Sequence, residues 1–385
     1  MSDPRIPLVR QSDLDAVLPP VESARNLPGA VYLEPEVFAL ERDVIFTKSW
    51  ICVGRQEALD VAGAFMTVEV AGHPVLLTRG EDGAVHAFHN ACRHRGACIT
   101  QEKEGVARSF RCNYHGWTYA ADGGLLAAPL MEERADFVAS EHGLVPVRLE
   151  RWGGFLFVNL DADAEPLATA MAGFPNFDRY DLESLRRVHS VTYKVGANWK
   201  ILCENYSECY HCALVHPQLN RVTDFRSGGN SFEGGGFNGG PMALKEGYTT
   251  MSMTGQREHP EIEGITDDDR GLMHYAHFYP SFLIGLAPDY IVLHTLNPVS
   301  VEESRVTCEW FYPVTTVAIE GFDASAAIEF WDITNRQDWG LCEMVQKGAA
   351  ARFTPGPYHP LEYCAHAFDK WFVERLGPRL AALRR

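Results

Sequence analysis

Two short cysteine–histidine pairs constrain the fold of this chain more than any other feature of its sequence. One residue separates Cys92 from His94, and seventeen residues further on come Cys112 and His115. Thiolate and imidazole groups are donors for zinc and for iron–sulfur centres. The two pairs can bind one metal centre if they lie on two tight turns that face each other. This part of the chain is therefore expected to fold as a small β-domain with a metal centre between paired loops.

A structural zinc site is the simpler interpretation of these pairs. Zinc sites, however, generally pair like ligands, whereas each loop here supplies one cysteine and one histidine. That division fits a Rieske cluster, in which two cysteines hold one iron and two histidines hold the other. The segments Cys92 to Gly96 and Cys112 to Trp117 resemble the two cluster-binding boxes of Rieske ring-hydroxylating oxygenases. The resemblance implies a [2Fe-2S] cluster held by Cys92, His94, Cys112 and His115.

The boxes also indicate which class of Rieske protein this chain resembles. High-potential respiratory members have an additional cysteine in each box, and these two cysteines form a disulfide. Here Cys98 lies near the first box, but the second has Asn113 and Tyr114 between its ligands. The resemblance therefore implies the lower-potential oxygenase or ferredoxin type, with Cys98 as a plain buried thiol.

A second group of candidate ligands lies on a stretch with helical spacing, from Trp199 to Val215. His211 and His216 are five residues apart, which is about 140° around an ideal helix. Both can reach one metal only if the helix distorts, and Pro217 gives a reason for it to end there. An oxygen-activating mononuclear iron prefers two histidines and one carboxylate, so a carboxylate from elsewhere is needed.

That carboxylate should come from a long helix predicted over about residues 326–348, where Asp332 and Asp338 are candidates. Asp332 falls on a polar side of this helix, whereas Asp338 lies on an apolar stripe. A carboxylate that faces inward needs a partner, and a metal is one. We therefore predict His211, His216 and Asp338 as ligands of one iron. The stripe consists of Ile328, Trp331, Asn335, Asp338, Leu341, Cys342 and Val345.

The segment from Trp199 to His216 resembles the catalytic motif of Rieske non-haem iron oxygenase alpha subunits, and the pair Gln337-Asp338 resembles their C-terminal ligand segment. The resemblance covers essentially the whole chain. It implies an α+β fold with a Rieske [2Fe-2S] β-domain and a helix-grip (START-like) catalytic domain, in which an antiparallel sheet wraps a long helix. It also implies mononuclear Fe(II), dioxygen as co-substrate, NAD(P)H electrons from a separate flavin or iron–sulfur reductase, and a homotrimer.

One position departs from the common pattern of this family. Most members carry an aspartate three residues before the first iron-binding histidine, where this chain has Glu208. The implied role of Glu208 is to bridge His211 to a Rieske histidine of a neighbouring subunit, His115, for electron transfer. The alternative is that Glu208 only caps or pairs on its helix. Asn205 is the other predicted catalytic residue. The run from Glu208 to Cys212 resembles the branch that oxidises quaternary ammonium compounds such as glycine betaine, carnitine and stachydrine.

The pattern of predicted secondary structure changes along the chain. Between Cys52 and Leu160, short strand-like runs alternate with Gly, Asp and Pro signals, which indicates an all-β module inside a larger α+β protein. We assign residues 1–48 to an N-terminal arm and helix packing on the catalytic domain, 49–160 to the Rieske domain and 161–385 to the catalytic iron domain. The glycine-rich stretch 227–240 is predicted to be a loop that is mobile or functional, because it is too long for a simple connector.

Charge and composition exclude several functions. The formal charge is −17, from 34 basic and 51 acidic residues, which argues against a nucleic-acid surface. No apolar run is long enough to span a bilayer, and the first residues lack the pattern of a signal peptide. We therefore expect a cytoplasmic protein without a membrane or nucleic-acid partner. In a reducing compartment, its ten cysteines are expected to be thiols or metal ligands rather than disulfides.

The leading hypothesis is an oxygenase component that hydroxylates or oxidatively N-demethylates a small quaternary ammonium substrate. One alternative is hydroxylation of an aromatic ring by the same metal centres, and another is a Rieske electron carrier. A carrier needs only the first 160 or so residues, which leaves His211, His216 and Asp338 unexplained. A cationic substrate calls for an aromatic cage or a carboxylate near the iron. The available aromatic residues, each expected more often in the core, are Tyr206, Phe278, Tyr279, Trp310, Phe311, Tyr312 and Trp331.

Overall fold

The computed structural model describes residues 8–351 and 353–384, so the start of the predicted N-terminal arm, residues 1–7, lies outside the described residues. The described chain forms two compact units. One comprises Phe46–Thr169, and the other combines the residues before Phe46 with those from Ala170 onwards. None of the described helices is long and apolar enough to cross a membrane.

The Phe46–Thr169 unit consists of three antiparallel sheets, with strand orders β1-β10-β9, β4-β3-β2-β5 and β6-β7-β8. The short strands predicted between Cys52 and Leu160 are confirmed. The strands are β1 Ile51–Arg55, β2 Ala64–Val70, β3 His73–Arg79, β4 Val85–His89, β5 Glu104–Val106, β6 Ser109–Arg111, β7 Thr118–Ala120, β8 Leu125–Ala127, β9 Arg148–Trp152 and β10 Phe155–Asn159.

Local backbone chemistry sets the pairing in this unit. Strands β2 and β3 are joined by Ala71 and Gly72, which have φ of 47° and 87°. Positive φ at both residues is what a tight two-residue hairpin requires, because its twist then matches that of the strands. Below the hairpin lies an apolar cluster that includes the sulfur-bearing side chains of Cys92 and Cys112. Its other buried members include Phe65, Leu76, Phe88, Phe110, Trp117 and Tyr119.

The second unit is built on a seven-stranded antiparallel sheet with strand order β11-β17-β16-β15-β14-β13-β12. Its central strand β15 is buried at every residue, as expected for a short continuous apolar run. The strands are β11 Leu185–Val195, β12 Phe232–Gly234, β13 Phe237–Ala243, β14 Leu272–Phe278, β15 Phe282–Leu286, β16 Ile291–Ser300 and β17 Glu303–Pro313.

A long helix, α9, packs on this sheet, and side-chain hydrogen bonds connect the two. Trp331 Nε1 donates to Tyr290 Oη at 2.7 Å, and His294 Nε2 lies 2.9 Å from Asn335 Oδ1. The predicted α+β fold class is confirmed, with a small all-β unit and a second unit in which an antiparallel sheet packs against a long helix. The α-helices are α1 Gln11–Asp15, α2 Ala30–Leu33, α3 Pro35–Glu41, α4 Leu167–Ala170, α5 Trp199–Tyr206, α6 Cys212–Val215, α7 Pro217–Val222, α8 Val314–Val317, α9 Ser325–Ala349 and α10 Tyr363–Leu380.

Four expectations from the sequence are wrong. The glycine-rich stretch is not one long loop, because β12 and β13 form a hairpin at the edge of the sheet. Cys98 is exposed rather than buried. Cys209 and Cys212 form a disulfide, because the turn between α5 and α6 brings their Cα atoms to 4.9 Å. Val345, at the end of the predicted apolar stripe, is 50% exposed.

Candidate metal centres

The two Cys–His segments of the Phe46–Thr169 unit fold into matching tight turns. In the first, the amide of Gly96 donates to the carbonyl of Cys92 at 2.8 Å. In the second, the amide of Gly116 donates to the carbonyl of Cys112 at 3.0 Å. The two glycines have φ of 74° and 77°, which residues with a Cβ rarely adopt. Each cysteine is therefore followed by a turn that only glycine closes without strain.

The four predicted cluster ligands divide into buried sulfur and exposed imidazole. Cys92 and Cys112 are 5% and 2% exposed, whereas His94 and His115 lie at the surface. The Nδ1 atoms of the two imidazoles are 3.1 Å apart, so both rings present a nitrogen to the same point. This donor set fits a Rieske [2Fe-2S] cluster.

Tyr119, on β7, is a neighbour of the cluster ligands that the sequence analysis did not identify. Its hydroxyl lies 3.3 Å from Cys92 Sγ and accepts the amide of Arg93 at 3.0 Å. Because that amide occupies the oxygen as an acceptor, the hydroxyl proton is available to the sulfur. Burial and the sulfur contact raise the pKa of Tyr119. A hydrogen bond to a cluster sulfur tunes the cluster.

In the second unit, the helical stretch that carries the histidines is broken into three short helices. Helix α5 ends at Tyr206, and α6 does not begin until Cys212. Between them, the Glu208 carboxylate accepts the amide of Tyr210, which replaces a helical hydrogen bond. Pro217 then starts α7 as its first residue, where the missing N–H costs nothing. The distortion that two histidines five residues apart require is therefore present.

His211, His216 and Asp338 converge on one point. Asp338 Oδ1 lies 2.9 Å from His216 Nε2 and 3.2 Å from His211 Nε2. His216 is 1% exposed, and the side chains of His211 and Asp338 are 17% and 16% exposed. Two imidazoles and one carboxylate facing one point are the donors that a mononuclear non-haem iron takes. The structure thus brings together the three predicted iron ligands.

The outward nitrogen of each imidazole has its own partner. His211 Nδ1 contacts Glu208 Oε1, and His216 Nδ1 donates to Gln337 Oε1 at 2.8 Å. Gln218 Nε2 also donates to this Gln337 oxygen, at 2.9 Å. Such partners fix the tautomer so that Nε2 is free to bind a metal. Glu208 was predicted as a functional residue from the sequence, whereas the roles of Gln337 and Gln218 become visible only in the structure.

The two aspartate candidates on α9 lie in different surroundings. Asn205 Nδ2 donates to Asp338 Oδ1 at 3.2 Å, which places the predicted catalytic Asn205 next to the two histidines. Asp332 instead accepts Tyr193 Oη at 2.6 Å and Arg336 Nε at 2.8 Å. Asp332 therefore belongs to an ion pair on the helix surface, away from both histidines.

The electrostatics of this site favour a positive charge between the ligands. Burial lowers the pKa of His211, but hydrogen bonds with Asp338 and Glu208 outweigh it and raise the pKa to about 10. For Asp338, burial raises the pKa, and hydrogen bonds from the two histidines lower it below the ordinary value overall. The carboxylates of Asp338 and Glu208 thus favour a positive charge at His211, where a metal cation would take the place of the proton on Nε2.

Cys212 is a further potential donor near the histidines. Ligand atoms of His211, Cys212 and His216 lie within 4.8 Å of one another. The Cys212 sulfur is bonded to Cys209, however, and a disulfide sulfur is not the thiolate that binds metals. Asp338 is therefore the third donor that fits an iron.

A cavity of about 120 Å³ lies against these ligands. Its wall has several aromatic rings, with the centroids of Tyr206 and Tyr275 6.2 Å apart and those of Tyr275 and Trp331 6.5 Å apart. Glu208 and Asp338 are its only acidic lining residues, and no lysine or arginine is among the lining residues, all of which are described.

Only two of the aromatic residues that the sequence offered for a cage, Tyr206 and Trp331, line this cavity. The other five are buried elsewhere in the sheet core. A third aromatic lining residue, Tyr275, was not predicted from the sequence, and neither was its strand, β14.

Comparison with known families gives two matches that divide the chain. A family model described as "Rieske [2Fe-2S] domain" matches residues 49–146. A second, described as "Ring hydroxylating alpha subunit (catalytic domain)", matches residues 182–378. The first match contains all four Cys–His candidates, and the second contains His211, His216 and Asp338.

Several characterised proteins are similar over nearly the whole chain. The glycine betaine monooxygenase oxygenase subunit of Pseudomonas aeruginosa is 32% identical, over 91% of this chain and 89% of that protein. The carnitine monooxygenase oxygenase subunit of Escherichia coli is 28% identical, over 86% of each chain. Among solved structures, the quaternary ammonium Rieske monooxygenase CntA in complex with L-carnitine superposes with a TM-score of 0.76 at 22% identity, over 97% of this chain and 99% of CntA.

Proposed function

Because this chain belongs to the ring-hydroxylating oxygenase alpha subunits that carry a Rieske [2Fe-2S] domain, we propose that it oxidises a small quaternary ammonium compound. Membership establishes an oxygenase with a [2Fe-2S] cluster and a catalytic non-haem iron. The substrate class and the role of each residue are the proposal.

We assign the cluster to Cys92, His94, Cys112 and His115, and the mononuclear iron to His211, His216 and Asp338. The converging Nδ1 atoms in one unit and the converging Nε2 atoms in the other support these assignments. When bound, the cluster supplies single electrons and the iron activates dioxygen.

The composition of the cavity wall carries the proposal of a cationic substrate. Tyr206, Tyr275 and Trp331 present aromatic rings, which attract a quaternary ammonium group through their negative faces. Glu208 and Asp338 add negative charge, and no lysine or arginine on the wall opposes it. A cation bound against these rings would hold an N-methyl group near the histidines. The names of the relatives, glycine betaine and carnitine monooxygenase, agree with this chemistry.

The overall reaction is a monooxygenation of an N-methyl group. One oxygen atom of dioxygen enters a C–H bond of the methyl group, and the other leaves as water after two electrons from a reductase and two protons are added. The resulting N-hydroxymethyl group breaks its C–N bond and releases formaldehyde, a proton and the tertiary amine. Glu208 and Gln337 contribute by holding the two imidazoles in one orientation.

Glu208 also supports a proposal about assembly. Its carboxylate contacts His211 Nδ1 while its side chain remains 13% exposed. We propose that it receives electrons from His115 of a neighbouring subunit in a homotrimer and that a separate NAD(P)H reductase reduces the cluster.

A substrate panel tests the reaction class. The purified protein, a reductase, NADH and dioxygen are incubated with glycine betaine, carnitine, choline or an aromatic hydrocarbon. Formaldehyde from at least one quaternary ammonium compound is expected. Ring-hydroxylated product with no formaldehyde would instead support the alternative, hydroxylation of an aromatic ring.

A neutral analogue tests the role of the positive charge. Replacing the substrate nitrogen by carbon preserves the shape and removes the charge, so it should weaken binding about 30-fold if the desolvated cation–π contact contributes about 2 kcal/mol. Binding is measured by competition with the charged substrate. Equal affinity of both compounds contradicts a cation-binding cavity.

A further inference from the structure

Two carboxyl groups outside the candidate iron site lie close together at a buried position. Glu204 on α5 and Asp369 on α10 interact through their side chains. Among the described residues, Asp369 Oδ1 has no hydrogen-bond partner, so no donor at that atom compensates a second negative charge. Asp369 is 1% exposed, and two like charges in contact at a buried position cannot both persist. The pair therefore retains one proton when other carboxyl groups have lost theirs.

Neighbouring hydroxyls stabilise each member of the pair. Tyr32 Oη donates to Glu204 Oε1 at 2.7 Å, and Tyr358 Oη donates to Asp369 Oδ2 at 2.6 Å. Lys200 lies on the same helix as Glu204, but its ammonium group donates to Glu41 Oε1 at 2.5 Å. The retained proton, rather than a direct ion pair, thus balances the second negative charge.

Burial dominates the acidity of the pair. It raises the pKa of Asp369 to about 7, although the hydrogen bond from Tyr358 acts in the opposite direction. Burial and the charge of Asp369 also raise the pKa of Glu204 well above its ordinary value. The titratable and charged groups that face the pair from the surrounding elements are Tyr32, Lys200, Cys203, Tyr279, Cys342, Tyr358 and Glu362.

One open cavity is lined both by this pair and by residues of the candidate iron site. It has a volume of about 460 Å³, and both carboxyl-bearing residues line it. Asn205, Glu208 and His211 also line it, and these three residues line the cavity of the iron site as well. A space of this size, with carboxyl, amide and imidazole groups on its wall, is large enough for a chain of water molecules.

The outer end of this cavity lies at the surface of the chain. Met344 and Val345 line it and are 60% and 50% exposed. A proton lost from the pair can therefore be replaced from solvent without opening the iron-site cavity.

We propose that Glu204 and Asp369 form a proton relay for the oxygenase reaction. The inference rests on the proposed function, because monooxygenation consumes two protons and two reductase electrons as one oxygen atom of dioxygen becomes water. The pair releases its proton into the water chain along the shared cavity, and solvent then reprotonates it past Met344 and Val345. A relay acts through water, so neither carboxyl needs to touch substrate or iron.

Two amide variants of the holoenzyme test the relay. Glu204→Gln and Asp369→Asn retain size and hydrogen bonding, but they cannot pass a proton by ionising. Turnover should fall at least about tenfold in each, with KM, iron content and cluster spectrum unchanged. Glu374→Gln is the control, because Glu374 is a 59% exposed carboxylate on the same helix, and it should behave as wild type.

Two further measurements distinguish a relay from a structural contact. Wild-type turnover should fall as pH rises through the pKa of the pair near neutrality, because the protonated pair is the donor, and it should be slower in D2O. Both amide variants should lose this pH inflection and most of the isotope effect. Folded variants with wild-type rates and an unchanged pH profile overturn the relay.

If either variant fails to fold, infrared spectroscopy of the resting wild-type protein still shows whether Glu204 and Asp369 retain a proton. A carboxylic-acid carbonyl band should persist at neutral pH, shift in D2O and disappear on alkaline titration. Absence of that band overturns the proposal. If the wild type oxidises no quaternary ammonium compound, the proposed substrate class fails, while the infrared result still decides whether the proton is there.

Discussion

The two candidate metal centres use similar side chains but differ in exposure. In the Rieske unit, the cysteines are buried and the imidazoles of His94 and His115 lie at the surface. In the catalytic unit, the imidazole of His216 is 1% exposed, and a carboxylate takes the place of the sulfur donors. One centre thus exposes its imidazoles at the surface, while the other keeps its donors largely buried.

This difference follows from what each centre does. A cluster that accepts and passes electrons needs an exposed edge, and it forms no bond with substrate. A centre that activates dioxygen must exclude bulk water, which would otherwise consume reactive species. The exposure of the imidazoles therefore indicates which centre handles electrons and which handles substrate.

The largest effect is expected from removing a cluster sulfur. Cys92→Ala and Cys112→Ala should abolish the [2Fe-2S] absorption and the reduced-state electron paramagnetic resonance signal, and turnover with them. Both sulfurs are buried in the apolar cluster, so each change also leaves a cavity where the metal centre was. A purified wild type that contains stoichiometric zinc and no cluster spectrum would falsify the assignment.

Removing an iron ligand should separate the two centres. His211→Ala, His216→Ala or Asp338→Ala should lower turnover at least about 100-fold, with the cluster spectrum intact. Asp332→Ala is the matched control on the same helix. It should stay within about threefold of wild type, because a surface ion pair contributes little. The reverse ranking of the two aspartates would show that Asp332 is the ligand.

Variants of Glu208 test whether this residue carries electrons from the cluster to the iron. Glu208→Gln should retain both metals yet slow product formation about 10- to 100-fold, because an amide orients His211 less strongly than a carboxylate. Glu208→Asp keeps the charge but shortens the reach, so a smaller loss is expected. Single-turnover assays that begin with a reduced cluster measure the transfer step.

Mixed trimers determine whether electrons cross between subunits. Chains with Glu208→Gln are assembled with chains carrying Cys92→Ala, and some pairings should be active because cluster and iron come from different subunits. Fully inactive mixtures, formed from chains that still assemble and bind their remaining metals, contradict the inter-subunit route.

The smallest effect is expected from a substitution of Tyr119, whose hydroxyl contacts Cys92, a candidate cluster ligand. Tyr119→Phe removes the hydroxyl that lies 3.3 Å from Cys92 Sγ. Without this donor the thiolate is more electron-rich, so the oxidised cluster is favoured and the reduction potential falls. Turnover should decrease less than tenfold. Protein-film voltammetry measures the shift, and an unchanged potential shows that the hydroxyl does not act on the cluster.

Most of the candidate metal donors could be predicted because they occur as pairs only a few residues apart in the sequence. Cys92 with His94, and His211 with His216, are recognisable as pairs without any knowledge of the fold. Helix α9 was predicted to within a residue or two because its apolar stripe has helical period. Asp338 followed from that stripe, and the structure places it beside both imidazoles.

Other features depend on tertiary contacts that leave no local pattern. Helix α10 buries residues on several sides, from Cys364 to Leu380, so it has no single apolar stripe to recognise. Strand β13 contains Gly239 and Gly240, which have little intrinsic strand preference, and it forms because it pairs with β14. The Gln337 and Gln218 contacts likewise join helices that are distant in sequence.

The glycine-rich hairpin limits how this enzyme can change its substrate during evolution. Gly239 and Gly240 line the proposed substrate cavity, but a Cβ would lie 2.2 Å from the Tyr275 carbonyl oxygen at the first and 1.5 Å from the Gly229 carbonyl oxygen at the second. Selection therefore cannot add a side chain at either glycine without displacing the neighbouring backbone. New specificities must instead arise at lining positions that already carry a side chain, such as Met242 on the same strand.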